Sequence, residues 1–247
     1  MKSRAKKIVA FTLSSACAIG VGLALAQSPP PDGMGPGAEG GMGAGMGGGD
    51  AAGMGGGGPR VIEPLTSKLS EVHSGDYVLD PDHGRIIWNV SHHGFSIFSA
   101  VFSKIDAKLK FDAADVTRSQ LDATVNMKSV GSLIPEFDVK LNSPVWLNTD
   151  KYPTSRFKST KIEVTGPNKL RVTGDLNFYG TTKPATMDVT FIQAGNVSPP
   201  AGGYRVGFNG VMVIKRSEWG MEKSTVGDEV TLNLEAEFTL PGAAAAH

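Results

Sequence analysis

The residues in this 247-residue sequence best equipped for chemistry are three histidines near two carboxylates: His83, His92 and His93, with Asp80 and Asp82 close by. A zinc or iron centre needs at least three converging ligands. His92 and His93 fall in a run that alternates like a β-strand, where neighbouring side chains point to opposite faces. Parity with Trp88 and Val90 sends His92 inward and leaves His93 outside. His83, His92 and one carboxylate would then be the whole donor set of a metal-dependent or redox enzyme. The preferred reading is a hydrogen-bonded histidine at a cavity mouth, with no metal and no cofactor.

Other chemistries find less support. Hydrolysis requires a nucleophile with a base beside it, and the sequence has no Gly-x-Ser-x-Gly elbow. Its single cysteine, Cys17, lies in an apolar run near the N-terminus. Glu235 and Glu237 alternate with Leu234, Ala236 and Phe238, which puts both carboxylates on a wet face. The stretch Gly43-Ala44-Gly45-Met46-Gly47-Gly48 has glycine spacing suited to a dinucleotide, but no strand precedes it and no helix follows. Met34, Met42, Met46 and Met54 could offer soft thioethers to Cu(I), yet no histidine cluster accompanies them. No catalytic residue is expected.

The elements that would position these residues are unevenly distributed. Lys2, Arg4, Lys6 and Lys7 precede an apolar run from Ile8 to Ala26 that closes on Ala24-Leu25-Ala26, the layout of a signal peptide over 1–26. An uncleaved anchor is the alternative, since the run approaches the ~20 residues of a membrane span. Cleavage would remove four of the 24 basic residues, so that 20 face 24 acidic ones. A mildly acidic chain with no basic stripe is a poor partner for nucleic acid. It would also be free of cysteine, so its fold rests on packing without disulfides. Localisation in the periplasm is expected. Residues 27–72, rich in Gly, Pro and Met as far as about 60, read as a disordered linker that cannot offset the entropy of ordering. The folded domain is expected over 73–241.

From Gly75 onward apolar residues recur with period two. Leu121, Ala123, Val125 and Met127 alternate with polar neighbours, as do Val172, Gly174, Leu176 and Phe178. The clearest run is Val230, Leu232, Leu234, Ala236, Phe238 and Leu240. Further strands are expected near 76–80, 85–93, 99–112 and 155–165, with one short helical segment from Pro135 to Leu141. Eight or nine such strands specify an all-β barrel or sandwich. Long strands gain from closure, which removes exposed edges. Small residues on the dry face leave room inside a barrel of about eight strands.

Several segments carry a family resemblance. Tyr77-Val78-Leu79-Asp80-Pro81-Asp82-His83 and Trp88-Asn89-Val90-Ser91-His92-His93-Gly94 resemble the opening of the YceI-like family of lipocalin-like, polyisoprenoid-binding proteins. Lys151-Tyr152-Pro153-Thr154, Gly180-Thr181-Thr182-Lys183-Pro184, Arg216-Ser217-Glu218-Trp219-Gly220 and Val226-Gly227-Asp228-Glu229-Val230 follow in order. Gly84, Ala100, Trp146 and Trp219 depart from the residues usual there. The resemblance implies an extended antiparallel eight-stranded lipocalin-like barrel, export, and a long-chain isoprenoid, quinone or related lipid in the interior.

The dry faces then give the candidate ligand contacts. Trp88, Phe102, Leu121 and Val125 come from the first strands, and Phe178, Met187, Phe208 and Met212 from the later ones. Phe137, Leu141 and Trp146 are expected near the mouth with His83 and His92. Arg85, Lys183 and Arg216 are the candidate donors to a polar head group. A homodimer, and a membrane or membrane protein as donor of the lipid, are both compatible with this reading. A solid barrel serving as a structural envelope module is the remaining alternative.

Overall fold

The computed structural model describes residues 65–197 and 203–242; the expected signal peptide and most of the expected linker lie outside these residues. The strands in chain order are β1 (Gly75–Leu79), β2 (Arg85–His92), β3 (Ser96–Phe102), β4 (Ile105–Phe111), β5 (Gln120–Asn126) and β6 (Val130–Gly131). After helix α1 (Pro135–Asn142) come β7 (Thr154–Gly166), β8 (Lys169–Phe178), β9 (Thr181–Asn196), β10 (Tyr204–Lys215) and β11 (Val226–Leu240).

Eleven segments make eight barrel strands, because the first three strands are each broken once. β1 and β2 both pair with β11, through Leu79↔Phe238 and Arg85↔Glu235, and residues 80–84 bulge out between them. β3 and β4 pair with β2 and β1 respectively. β5 and β6 continue the same course beside β4 and β3. From β7 to β11 each strand pairs antiparallel with the next, and the β1–β11 pairing closes the ring. Closure leaves few unpaired backbone groups along the wall.

The breaks at 80–84, 103–104 and 127–129 fall on adjacent strands. The Lys104 amide donates to Ser129 Oγ at 3.0 Å, and the Asn126 amide donates to the Lys104 carbonyl at 2.9 Å, so the second and third breaks are stitched together. They divide the interior into two apolar clusters. One fills the barrel body around Tyr77, Phe191 and Val206. The other lies under α1 around Trp88, Phe102 and Leu141.

The chain closes the end remote from α1 with its own leading segment. Thr66 bridges to Ala194, and Leu69 and Val72 are buried in the same cluster as Phe111, Leu170 and Phe191. The His73 ring stacks on Tyr204 at 4.0 Å, and the Tyr77 hydroxyl donates to the His73 carbonyl at 2.7 Å. Residues 65–72, assigned to the linker on composition, therefore pack as part of the domain. Their apolar contribution is only Leu65, Leu69 and Val72, too sparse for periodicity to register.

Candidate ligand-binding cavity

A cavity of about 350 Å³ runs from the level of Phe111 and Leu170 up to Trp146 and His92 beside α1. This lies within the ~300–1,000 Å³ of small-molecule sites. Each barrel strand contributes through the alternation that the sequence shows. Leu121, Val125 and Phe178 line the middle together with Trp88 and Phe102. Met187, Phe208 and Met212 line the body. Phe137 and Leu141, four residues apart on one face of α1, line the mouth with Trp146. The interior keeps its space partly because Gly210 lines it, where a Cβ would lie 2.9 Å from the Met187 sulfur.

The polar groups in this wall are mostly engaged by backbone. Ser119 Oγ accepts from the Asp112 amide at 3.0 Å, and Ser155 Oγ donates to the Asn177 carbonyl at 2.8 Å. Each hydroxyl is thus hydrogen-bonded to a main-chain group. The Trp219 indole donates to the Leu176 carbonyl at 3.2 Å. Trp88 differs, because its indole Nε1 is buried without a hydrogen-bond partner. Long apolar walls with so few free polar groups suit a hydrocarbon chain.

The candidate head-group donors separate in the structure. Arg216 lines the cavity and is buried, but it forms no pair with Glu218. Its guanidinium donates to the carbonyls of Gly227 (2.9 Å), Glu222 (2.8 Å) and Val226 (3.0 Å) and to Ser224 Oγ (2.9 Å). It is a clamp on the loop before β11. Arg85 pairs with Glu235 at 2.7 Å, both side chains about half exposed, and both residues border the cavity. Lys183, in the first residues of β9, is half-buried and lies outside the lining.

The histidines also part company. His92 ends β2 at the cavity mouth, and His93 lines the same opening, their rings edge to face at 4.4 Å. His93 does not point away as strict strand parity requires, because its backbone has turned to φ 53° at the hairpin tip. His83 never reaches the interior, which corrects its placement beside His92. It belongs to the outward bulge at 80–84, where its Nδ1 meets Asp80 at 3.1 Å. The bulge resets the alternation between β1 and β2, so parity counted through it fails. Asp80, His83 and Glu237 do converge there, but Arg205 Nη1 donates to both carboxylates and fills the position a cation would take.

Sequence reasoning missed Phe98, which lines the mouth and meets Phe137 with ring centroids 5.0 Å apart. The expected strand begins at 99, although Phe98, Ala100 and Phe102 share one parity that extends it.

The chain matches the YceI-like domain family over residues 77–238. It is 36% identical over 170 residues to a UPF0312 protein of Shewanella denitrificans, covering 67% of this chain and 88% of that protein. Among solved structures it resembles BcnA of Burkholderia cenocepacia, with a TM-score of 0.56 and 24% identity, over 64% of this chain and 98% of that one. It also resembles a polyisoprenoid-binding domain from Saccharophagus degradans, with a TM-score of 0.50 and 11% identity, over 68% of this chain and all of the other (100%).

Proposed function

Because this chain belongs to the YceI-like domain family, we propose that its barrel holds a long apolar lipid, a polyisoprenoid, quinone or similar molecule, without a chemical step. The observation that carries this reading is the apolar cavity running through the barrel and opening beside α1. The polyisoprenoid-binding domain from Saccharophagus degradans, similar in fold, supports the same ligand class. Each buried CH₂ contributes about 0.8 kcal/mol, so a few isoprene units already give gross energy of order 10 kcal/mol. Ordering costs offset part of that. Affinity therefore follows how much chain the cavity admits.

The leader pattern at 1–26 supports export to the periplasm, where a carrier would store, sequester or transport lipid across an aqueous gap. Such a carrier requires a membrane or membrane protein as donor. The test is mass spectrometry of organic extracts from natively purified protein, compared with the same protein denatured and refolded. A stoichiometric long-chain lipid lost on denaturation supports the proposal. A clean extract, together with failure to take up prenols or quinones, leaves the structural envelope module in its place.

A further inference from the structure

Twelve large apolar side chains are exposed among the described residues, and their distribution is lopsided. Six of them belong to the two segments that frame the cavity mouth. Phe95 (92% exposed) and Ile97 (65%) are on the β2–β3 hairpin tip, and Leu133 (100%), Ile134 (52%), Val139 (73%) and Val145 (82%) are on the connection that contains α1. The remaining six are 39–56% exposed and scattered over the outer wall and the far end. The two mouth segments are held together by the Phe98–Phe137 contact and by the pairing of β3 with β6.

Neither packing nor backbone preference explains these residues. Leu133 is fully exposed and also adopts φ 67°, a left-handed conformation that favours Gly, Asn or Asp over leucine. Phe95 follows a turn through His93 and Gly94 at φ 53° and 77°, which projects it beyond the strand ends. On α1, Phe137 and Leu141 face the cavity, which leaves Val139 on the opposite side. Large apolar side chains exposed this fully and concentrated around one opening mark an interaction surface.

We infer that this rim docks on a lipid bilayer, with the cavity mouth set against the hydrocarbon. The inference rests on the lipid-carrier reading and names the donor surface. The rim is continuous with the apolar lining through Phe98, Phe137 and Trp146, so a lipid passes from bilayer to barrel without crossing water. Insertion of the two tips buries no formal charge. Residues 91–97, 132–134 and 143–147 contain no carboxylate, lysine or arginine. On α1, Asp138 is turned back to the Ser132 amide (2.7 Å) and hydroxyl (2.6 Å), while Glu136 and Lys140 are of opposite charge. The shape also agrees. Two tips straddling an opening give a rigid second copy only edges to grip, whereas a fluid interface conforms around each side chain.

The test is flotation of the purified protein with vesicles of phosphatidylethanolamine and phosphatidylglycerol. The parent chain is compared with a Phe95→Asp/Leu133→Asp variant carrying the same N-terminus, so any contribution from the leader cancels. Both replaced side chains are exposed, and aspartate tolerates the backbone at 133, so the unfolding midpoint should hold. Partitioning is expected to fall at least about tenfold, the equivalent of withdrawing one large apolar side chain from hydrocarbon. Lipid recovered in organic extracts should be unchanged. Vesicle binding that is absent in the parent, or equal in the variant, overturns the inference while the extract reports separately on the carrier reading. A parent dimer that the variant dissociates, with no vesicle binding by either, assigns the rim to a second copy and also overturns it.

Discussion

Asp80 and Arg205, 125 positions apart, meet at 2.6 Å on the outer wall where the first barrel strand is broken. Arg205 Nη1 also donates to Glu237, and Asp80 takes further hydrogen bonds from the Asp82 amide and His83. The Asp80 amide donates to the Glu237 carbonyl at 2.8 Å. The bulge at 80–84 is thereby riveted to β10 and β11, and the seam that closes the barrel is held from outside.

Arg205→Met should therefore weaken the fold. Breaking a buried ion pair costs ~3–5 kcal/mol when the remaining charge is stranded. Here Asp80 is mostly covered and Glu237 is a third exposed, so a loss of about 2 kcal/mol is expected. A urea titration measures it, and a loss below about 0.5 kcal/mol would mean the rivet is ornamental.

Acid should loosen the same seam. Burial pushes the Asp80 carboxyl up, but hydrogen bonds from the Asp82 amide, His83 and Arg205 together outweigh it and hold the group below the ordinary carboxylate range. A depressed native pKa contributes stability that is complete above the unfolded value of ~3.9 and is lost as pH falls through the native one. Unfolding free energy should decline below about pH 4, and Asp80→Asn should flatten that part of the decline. An unchanged acid slope in Asp80→Asn would remove this residue from the explanation.

Much of this architecture is legible in the sequence because a barrel wall has one period. The alternation from Val230 to Leu240 identifies β11, and nearly all its inward residues line the cavity. What alternation cannot show is where a strand breaks. Asp80–Gly84, Ser103–Lys104 and the turn after Asn126 each interrupt the count, and their partners lie far away in sequence. His83 sits in the first of these breaks, outside the alternation of either flanking strand. Leu133 is illegible for a different reason, since an exposed leucine is notable only once its surroundings are known.

The glycines of the wall should divide by what they face. A Cβ on Gly174 would lie 2.4 Å from the Lys158 carbonyl oxygen and 2.6 Å from the Phe157 ring. Backbone cannot yield there, so Gly174→Ala should cost about 1–3 kcal/mol. Gly210 faces the Met187 sulfur instead, and a thioether can move. Gly210→Ala should fold within about 1 kcal/mol of the parent but narrow the cavity and reduce uptake of a long-chain prenol. Paired denaturation and uptake measurements check the split; equal destabilisation by both would show that Met187 is as fixed as backbone.

Arg216→Lys should release the loop before β11. The guanidinium spans three carbonyls and a hydroxyl, a fork that an ammonium cannot reproduce. About 2 kcal/mol of stability should be lost, and amides at 222–227 should exchange faster. Protection unchanged in that loop would show that other contacts hold it.

Trp88→Phe should be nearly neutral, unlike most truncations in a buried wall. Trp88 is only 8% exposed and packs against Phe98 and Phe102, at centroid distances of 5.6 and 6.3 Å. Replacing indole by phenyl sacrifices some of that packing. It also deletes an indole N–H that has no partner, and a buried unsatisfied donor carries a penalty of about 1–3 kcal/mol. The two effects oppose each other, so the urea midpoint should correspond to a change of less than about 1 kcal/mol. A loss of more than about 2 kcal/mol would mean that Nε1 has a partner in solution.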